Sequence, residues 1–477
     1  MADLSAKYKT FRILSPFHGE IFTTDPAIVE YILKTNFENY GKDIFMKATA
    51  DSIFEVAFGV DLDILSGSNE EGVRFSRAFD DSDELTYRRL VDMSWKIKKY
   101  LNIGAEAKLK KNIKVIDNFV YKVIKTKTEQ MQKSKDEFLD IFMKATADSI
   151  FEVAFGVDLD ILSGSNEEGV RFSRAFDDSD ELTYRRLVDM SWKIKKYLNI
   201  GAEAKLKKNI KVIDNFVYKV IKTKTEQMQK SKDEFLLKKE DLLLRFMQIS
   251  DRDPKYFRDI IINFVLAGKV PVATTMTWFI YILCKHPEVQ DKIAQDIKQA
   301  MNITEDITNV TDFEARLHED MLDKMQYLHA ALAEILRLYP SLPLDPKMCF
   351  SDDVLPDGCF VKKGDMIAYL PYAMGRMKFI WGEDALEFKP ERWLDHHGCF
   401  HSESPFKFTT FQAGPRTCLG REFAYRQMKI LSSILLGCYV FKLSDENKVP
   451  RYRTTINIQV DGPLNICVSA RSGLHNP

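Results

Sequence analysis

The ten residues Phe411-Gln-Ala-Gly414-Pro-Arg416-Thr-Cys418-Leu-Gly420 place one cysteine in a Gly- and Pro-punctuated loop that opens into a helical run, Arg421 to Leu436. The reactive, metal-ligating form of cysteine is the thiolate, which needs electrostatic help near neutral pH. The unpaired N–H groups and the dipole of a helix N-terminus supply that help, worth about 0.3–2 kcal/mol. Gly414 and Gly420 let the backbone turn tightly and approach a flat ligand. Arg416 adds a positive fork two residues before the sulfur. A buried structural thiol is the commoner fate of a free cysteine, and the patterned loop argues against it here.

Two charged motifs precede this loop. Glu334-Ile-Leu-Arg337 lies near the end of a helical run that stops at Pro340, and i, i+3 spacing sets carboxylate and guanidinium on one face. Phe388-Lys-Pro-Glu-Arg392-Trp393 brings a second guanidinium. Taken alone, Glu-x-x-Arg describes a surface pair as well as a buried one.

These residues need a large scaffold, and the composition allows one. The 477 residues are 45% hydrophobic and 29% charged, with a net charge of −1, which gives no general pull toward nucleic acid or acidic membranes. Seven cysteines without a Cys-x-x-Cys spacing argue against a disulfide framework or a structural zinc site and favour a reducing compartment. The first ten residues hold no apolar signal core, and no uninterrupted apolar run of membrane-spanning length occurs.

Residues 43–139 and 140–236 are identical in sequence, 97 residues each, and joined without a linker. Solenoid units are shorter, drift in sequence and stack in threes or more. A tandem duplication, or an error in assembling the coding sequence, fits better. Ile116, Phe119, Val120, Val123 and Ile124 follow helical spacing. The lysine-rich stretch 96–135 reads as a solvated helix face, balanced by the acidic first half of the copy. Copy two runs without interruption into Leu237-Lys-Lys-Glu, so it is expected in the native position, with copy one as an insertion. Four regions follow: 1–42, a β-rich start; 43–139, the first copy; 140–236, the second; and 237–477, the core. Within the core, 237–340 reads as helical. Residues 341–372 read as strands separated by turns, and 373–417 as a long irregular stretch.

The cysteine loop matches Phe-x-x-Gly-x-Arg-x-Cys-x-Gly at every fixed position and resembles the haem-binding loop of the cytochrome P-450 (haem-thiolate monooxygenase) superfamily. Ala331-Leu-Ala-Glu-Ile-Leu-Arg-Leu-Tyr-Pro340 and Asn263-Phe-Val-Leu-Ala-Gly268 are similar to plant fatty-acid ω-hydroxylases of that superfamily. The resemblance implies a mainly α fold with small β-sheets. It implies haem b with Cys418 as axial iron ligand, framed by Phe411, Gly414 and Gly420. Arg416 would face a haem propionate, and Lys347 would occupy a second propionate-binding position. Glu334, Arg337 and Arg392 would form the triad that pins the loop beneath the haem. The implied partners are O2, a small apolar substrate and an NADPH-cytochrome reductase. Arg421, Arg426 and Lys429 offer that reductase a positive face, or are ordinary surface charges.

The pattern also breaks. Relatives carry an acid and a hydroxyl where this chain has Val270 and Pro271, leaving Gly268 and Thr274 as the candidate catalytic positions. Thr274 is expected to point elsewhere, being three residues late. A proline inside a regular helix costs about 3 kcal/mol. The C-helix region with Trp-x-x-x-Arg, expected after Tyr40-Gly41-Lys42, has no equivalent; Trp95 and Lys99 belong to the repeat. The fold is therefore expected to be incomplete, with one helical segment duplicated. The relatives' endoplasmic-reticulum anchor is not recognisable, which implies a cytosolic or peripheral chain. The expected activity is hydroxylation of an apolar substrate such as a long-chain fatty acid. The alternative is a haem-binding, catalytically impaired pseudoenzyme or a non-functional product.

Overall fold

The computed structural model describes residues 2–14, 19–41, 138–186, 192–230, 242–249, 253–303, 313, 316–446, 449–454, 456–462 and 464–471. The first copy of the repeat lies outside the described residues apart from Phe138 and Leu139, as do Trp95, Lys99 and the helical spacing read between Ile116 and Ile124.

The chain opens with α1 (Ala2–Lys7), β1 (Thr10–Leu14), β2 (Gly19–Thr23), α2 (Pro26–Glu30) and β3 (Tyr40–Gly41). This region mixes short strands and helices, and α2 starts at Asp25-Pro26 with Asp25 as its N-cap. Six helices follow: α3 (Phe138–Phe155), α4 (Glu167–Arg186), α5 (Trp192–Leu198), α6 (Gly201–Lys230), α7 (Leu242–Ile249) and α8 (Pro254–Lys285). Then come α9 (Pro287–Ala300), α10 (Glu319–Leu322) and α11 (Gln326–Leu338). Strands β4 (Asp345–Cys349), β5 (Asp353–Val354), β6 (Phe360–Val361) and β7 (Met366–Tyr369) lead to the short helices α12 (Pro371–Met374) and α13 (Lys378–Trp381). The chain closes with α14 (Arg421–Cys438), β8 (Tyr439–Leu443), β9 (Arg451–Thr454), β10 (Ile458–Asp461) and β11 (Ile466–Ala470).

A five-stranded sheet runs β1-β2-β7-β4-β3, and β5/β6, β9/β10 and β8/β11 form two-stranded ribbons. The large sheet joins the two ends of the chain: β2 runs parallel to β7 with Phe22 opposite Ala368, and β3 pairs β4 with Tyr40 opposite Cys349.

Local chemistry sets the helix ends. Asp253 accepts from the Lys255 N–H at 3.0 Å, and Pro254 at the first helical position loses no bond, so α8 begins where Asp-Pro predicts. Helix α11 has no side-chain cap of its own. Instead Asp296 of α9 accepts from the Leu328 N–H at 2.9 Å, a tertiary cap that local sequence does not announce.

The main core lies where α8, α9, α11 and α14 meet, with Met276, Phe279, Leu332, Ile335, Ile430 and Ile434 completely or almost completely buried. Helix α8 is long and apolar enough to cross a membrane, yet most of it is buried inside the protein. A second apolar cluster joins α3, α4 and α6 to the first half of α8 through edge-on rings, Phe151 on Phe155 and Phe172 at 5.1 Å each. Polar links fix the same contact. Thr146 donates to the Lys269 carbonyl at 3.1 Å, and Lys269 reaches Ser173 at 3.0 Å and Asp177 at 2.5 Å. Asp148 in α3 holds the following loop by accepting from Ile161 and Leu162, both at 2.9 Å. Its burial pushes the carboxyl up to about 7.

Candidate active site

Cys418 sits three residues before α14. Its N–H donates to the Phe411 carbonyl at 2.8 Å, and Thr417 Oγ1 donates to the Gly414 carbonyl at 2.8 Å, so the loop is closed by its own backbone. Gly414 has φ +63°, and a Cβ there would collide with the Leu33 carbonyl. Only glycine suits both conditions. A Cβ on Gly420 would lie 4.0 Å from Cys418 Sγ. The thiol is exposed, on a loop otherwise anchored to the core through Ala413, which is fully buried. Phe411 packs on Tyr425 at 5.3 Å, and Arg416 lies 5.4 Å from the centre of the Phe37 ring.

The charged motifs assemble behind this loop. Arg337 makes a bidentate pair with Glu334, Nε to Oε2 at 2.8 Å and Nη2 to Oε1 at 2.7 Å, with both residues buried. Arg392 approaches Glu334 Oε1 at 3.4 Å and donates to the carbonyls of Trp381 at 2.8 Å and Asp384 at 3.0 Å. Arg337 also donates to the carbonyls of Gly375, Ala385 (2.6 Å) and Glu387 (3.0 Å). The three residues therefore come together and clamp the irregular stretch after α13. Buried charge is tolerated when every lone pair and proton is used in this way. Trp393 completes the set, its Nε1–H donating to Glu334 Oε2 at 2.9 Å. Sequence reasoning did not assign it, although it stands next to Arg392 in the same motif.

Other expected positions fare differently. Lys347 is buried and paired with Asp345, Nζ to Oδ1 at 2.8 Å, while Tyr369 donates to the same carboxylate. Residues i and i+2 of one strand share a face, so Lys347 arrives already matched to a carboxylate. Lys429 is not a surface charge. It is buried, donates to the Leu322 carbonyl at 2.6 Å, and burial pulls its ammonium down to about 8. Arg421 and Arg426 are half-buried instead. Gly268 faces α3, where a Cβ would meet Ile150 Cδ1 at 2.9 Å; its size serves helix packing.

Helix α8 continues through Pro271 without a break. Thr274 lies one turn beyond Val270, and i, i+4 spacing puts the two on one stripe of the helix. Thr275 and Thr277 return their hydroxyls to the carbonyls of Pro271 and Ala273, but Thr274 Oγ1 is buried without a partner. On the adjoining stripe Ala267 is exposed in the middle of this core helix, and Gly268 and Pro271 are half-buried.

His329 was not foreseen. It stacks on Tyr425 at 4.3 Å and meets Phe400 at a tilt at 4.1 Å, and its Nε2 is buried without a partner. Burial, reinforced by Lys429 and Arg421, pulls the imidazole down to about 3. A single histidine in a helical run gave no sequence signal of this.

The family model described as Cytochrome P450 matches residues 27–148 and 137–468. The chain belongs to the cytochrome P450 family. It is 40% identical to Cytochrome P450 704C1 of Pinus taeda, over 98% of this chain and 88% of that protein. It is 37% identical to Cytochrome P450 704B1 of Arabidopsis thaliana, over 97% and 89%, and 35% identical to Cytochrome P450 86B1 of the same plant, over 92% and 76%. By family this is a cytochrome P450 monooxygenase, and the family's cofactor is haem with a cysteine thiolate ligand. A redox partner, dioxygen and an organic substrate belong to that chemistry.

The residues fit such a group. A cysteine at a helix N-terminus is the right donor, and its loop contains glycines that leave room beside the sulfur. The core helix α8 also leaves a small-residue stripe uncovered at Ala267 and a buried hydroxyl unsatisfied at Thr274.

Proposed function

We propose that this chain binds haem b through Cys418 and hydroxylates an apolar substrate of the long-chain fatty-acid type, drawing electrons from an NADPH-cytochrome reductase. The observation that carries the reading is the closed Cys418 loop at the start of α14, tied by the Cys418 N–H to Phe411 and shaped by Gly414. When bound, the haem supplies oxygen activation, with the thiolate favouring O–O cleavage. Phe411, Gly414 and Gly420 frame the cofactor. Arg416 holds a propionate, and Lys347 adds less because Asp345 already neutralises it. Glu334, Arg337 and Arg392 hold the segment that carries the loop. Arg421 and Arg426 offer the reductase a positive surface. The place of work is a membrane surface of the endoplasmic reticulum, on its cytosolic side. We further assign the second copy of the repeat to the family's own position and the first to an insertion.

The departure at Val270 and Pro271 favours a second reading, a haem-binding chain with impaired turnover. Neither side chain carries a proton, so delivery falls to Thr274 Oγ1, one turn along α8 and without another partner. Absorbance of the reduced, carbon monoxide-treated protein tests the cofactor, and the thiolate-type Soret band is the expected result. Its absence would sink both readings. NADPH consumption then decides between them: hydroxylated product supports the first, and peroxide alone supports the second.

A further inference from the structure

Helix α8 is gripped from outside just before its proline. Pro271 has no N–H to give the Ala267 carbonyl, so the helix loses one rung of its ladder there. The residues ahead of it are held by other elements. Gly268 lies against Ile150 of α3, and the Lys269 carbonyl accepts from Thr146 Oγ1 at 3.1 Å. The Lys269 side chain reaches further. Its ammonium donates to Ser173 Oγ at 3.0 Å and to Asp177 Oδ1 at 2.5 Å, both on α4, and lies 5.9 Å from the centre of the Phe176 ring. The pair is unequal: the Lys269 side chain is 1% exposed and that of Asp177 42%. Water can take over from Lys269 at Asp177, but nothing solvates Lys269 if Asp177 is lost.

A buried cation in a core helix is hard to keep, and packing alone would be served by an apolar side chain of similar volume. What the ion pair adds is direction. Lys269 lies about 200° around the helix from Ala267, the exposed residue of the uncovered stripe. Thr274, whose hydroxyl is buried without a partner, stands within about 20° of Ala267 around the same axis. Fixing Lys269 on α4 therefore fixes the opposite side of α8, at the point where a missing rung lets a helix bend. We propose that Lys269 is a positioning residue for the uncovered stripe of α8: pinned by Asp177 and Ser173, it sets the rotation of the helix at Pro271 and so the direction of the Thr274 hydroxyl. The inference rests on the reading of Thr274 as the proton-carrying hydroxyl of a haem-binding chain. Lys269 touches no reacting atom and acts through the helix.

Hydrogen exchange of the full chain, read beside the carbon monoxide stretching frequency of the reduced haem protein, tests this. Lys269→Met keeps the apolar stem and leaves Asp177 to water, so the chain should fold. Exchange of the α8 amides flanking Pro271 should then quicken about tenfold, and the stretch should shift as the Thr274 hydroxyl turns. Lys269→Arg should restore both. Asp177→Asn should act in the same direction, and adding it to Lys269→Met should change little more, because the two share one interaction. Asp178→Asn, next door but paired with Lys205 at 2.8 Å, should move neither readout. Unaltered exchange in Lys269→Met overturns the proposal. So does quicker exchange with an unmoved stretch, which would leave Lys269 a purely structural contact. Absence of the thiolate-type Soret band marks failure of the earlier reading and takes the Thr274 role with it; a normal band with an unmoved stretch fails Lys269 alone.

Discussion

At the scale of single residues, Glu334 carries the heaviest obligation in the molecule. Its carboxylate meets Arg337, Arg392, the Lys389 N–H at 3.0 Å and the Trp393 indole, and the Glu334 and Arg337 side chains are fully buried. Glu334→Gln leaves Arg337 without its counter-charge, and breaking a buried pair on one side costs about 3–5 kcal/mol. Urea unfolding should show that loss, and a cost below 1 kcal/mol would mean that the network is not buried. The i, i+3 spacing announced the Glu334–Arg337 pair, and the motif order suggested Arg392. Trp393 was not assigned because its bond spans 59 positions. Lys347 and Lys429 show the same limit: sequence gives their charge, but not the carboxylate or carbonyl that meets it inside.

His329 adds a pH dependence. Its folded value of about 3 lies below the ordinary 6.5, so the unfolded chain takes up a proton that the folded chain refuses. Stability from this group is complete above about pH 6.5 and is lost as pH falls toward 3. His329→Phe, which keeps the stack on Phe400 and Tyr425, should flatten the fall in urea midpoint between pH 6.5 and 4. An unchanged slope would assign the acid sensitivity to other groups.

At the scale of elements, α8 decides how much chemistry survives. The Asp-Pro start was legible, and so was the anomaly at Val270 and Pro271. The unbroken course of the helix was not, because the surrounding core, Val272, Ala273 and Met276 among it, keeps the helix continuous through Pro271 against a local penalty. That course keeps Thr274 on the stripe of Val270. Val270→Asp with Pro271→Thr restores both an acid and the missing backbone donor. The ratio of product to NADPH consumed should rise several-fold, and an unchanged ratio would move the defect away from α8. The packing role of Gly268 also lives at this scale, since Ile150 is contributed by another helix.

At the scale of the whole molecule, the repeat poses the main question. The two copies share every residue, so sequence alone assigns them equal affinity for α8. Residues 138–230 make the contacts described here, through Phe151, Thr146 and Asp177. Phe151→Ala should therefore cost about 3–5 kcal/mol in chemical denaturation. The identical change at Phe54 in the first copy should cost almost nothing. Equal costs would overturn the assignment of the second copy to the core.

The sequence by itself determined the family-bearing chemistry: the Cys418 loop, the Glu334–Arg337 face and the loss of the acid at position 270. These are local, carried by residues within one turn or one loop of each other, where spacing fixes geometry. Only the tertiary structure decided which charges are already satisfied. It set Lys347 against Asp345, Lys429 against a carbonyl and Trp393 against Glu334, and it capped α11 from α9. The physical reason is that burial and pairing depend on atoms brought together from distant parts of the chain, and a buried polar group takes its character from the partner it finds there.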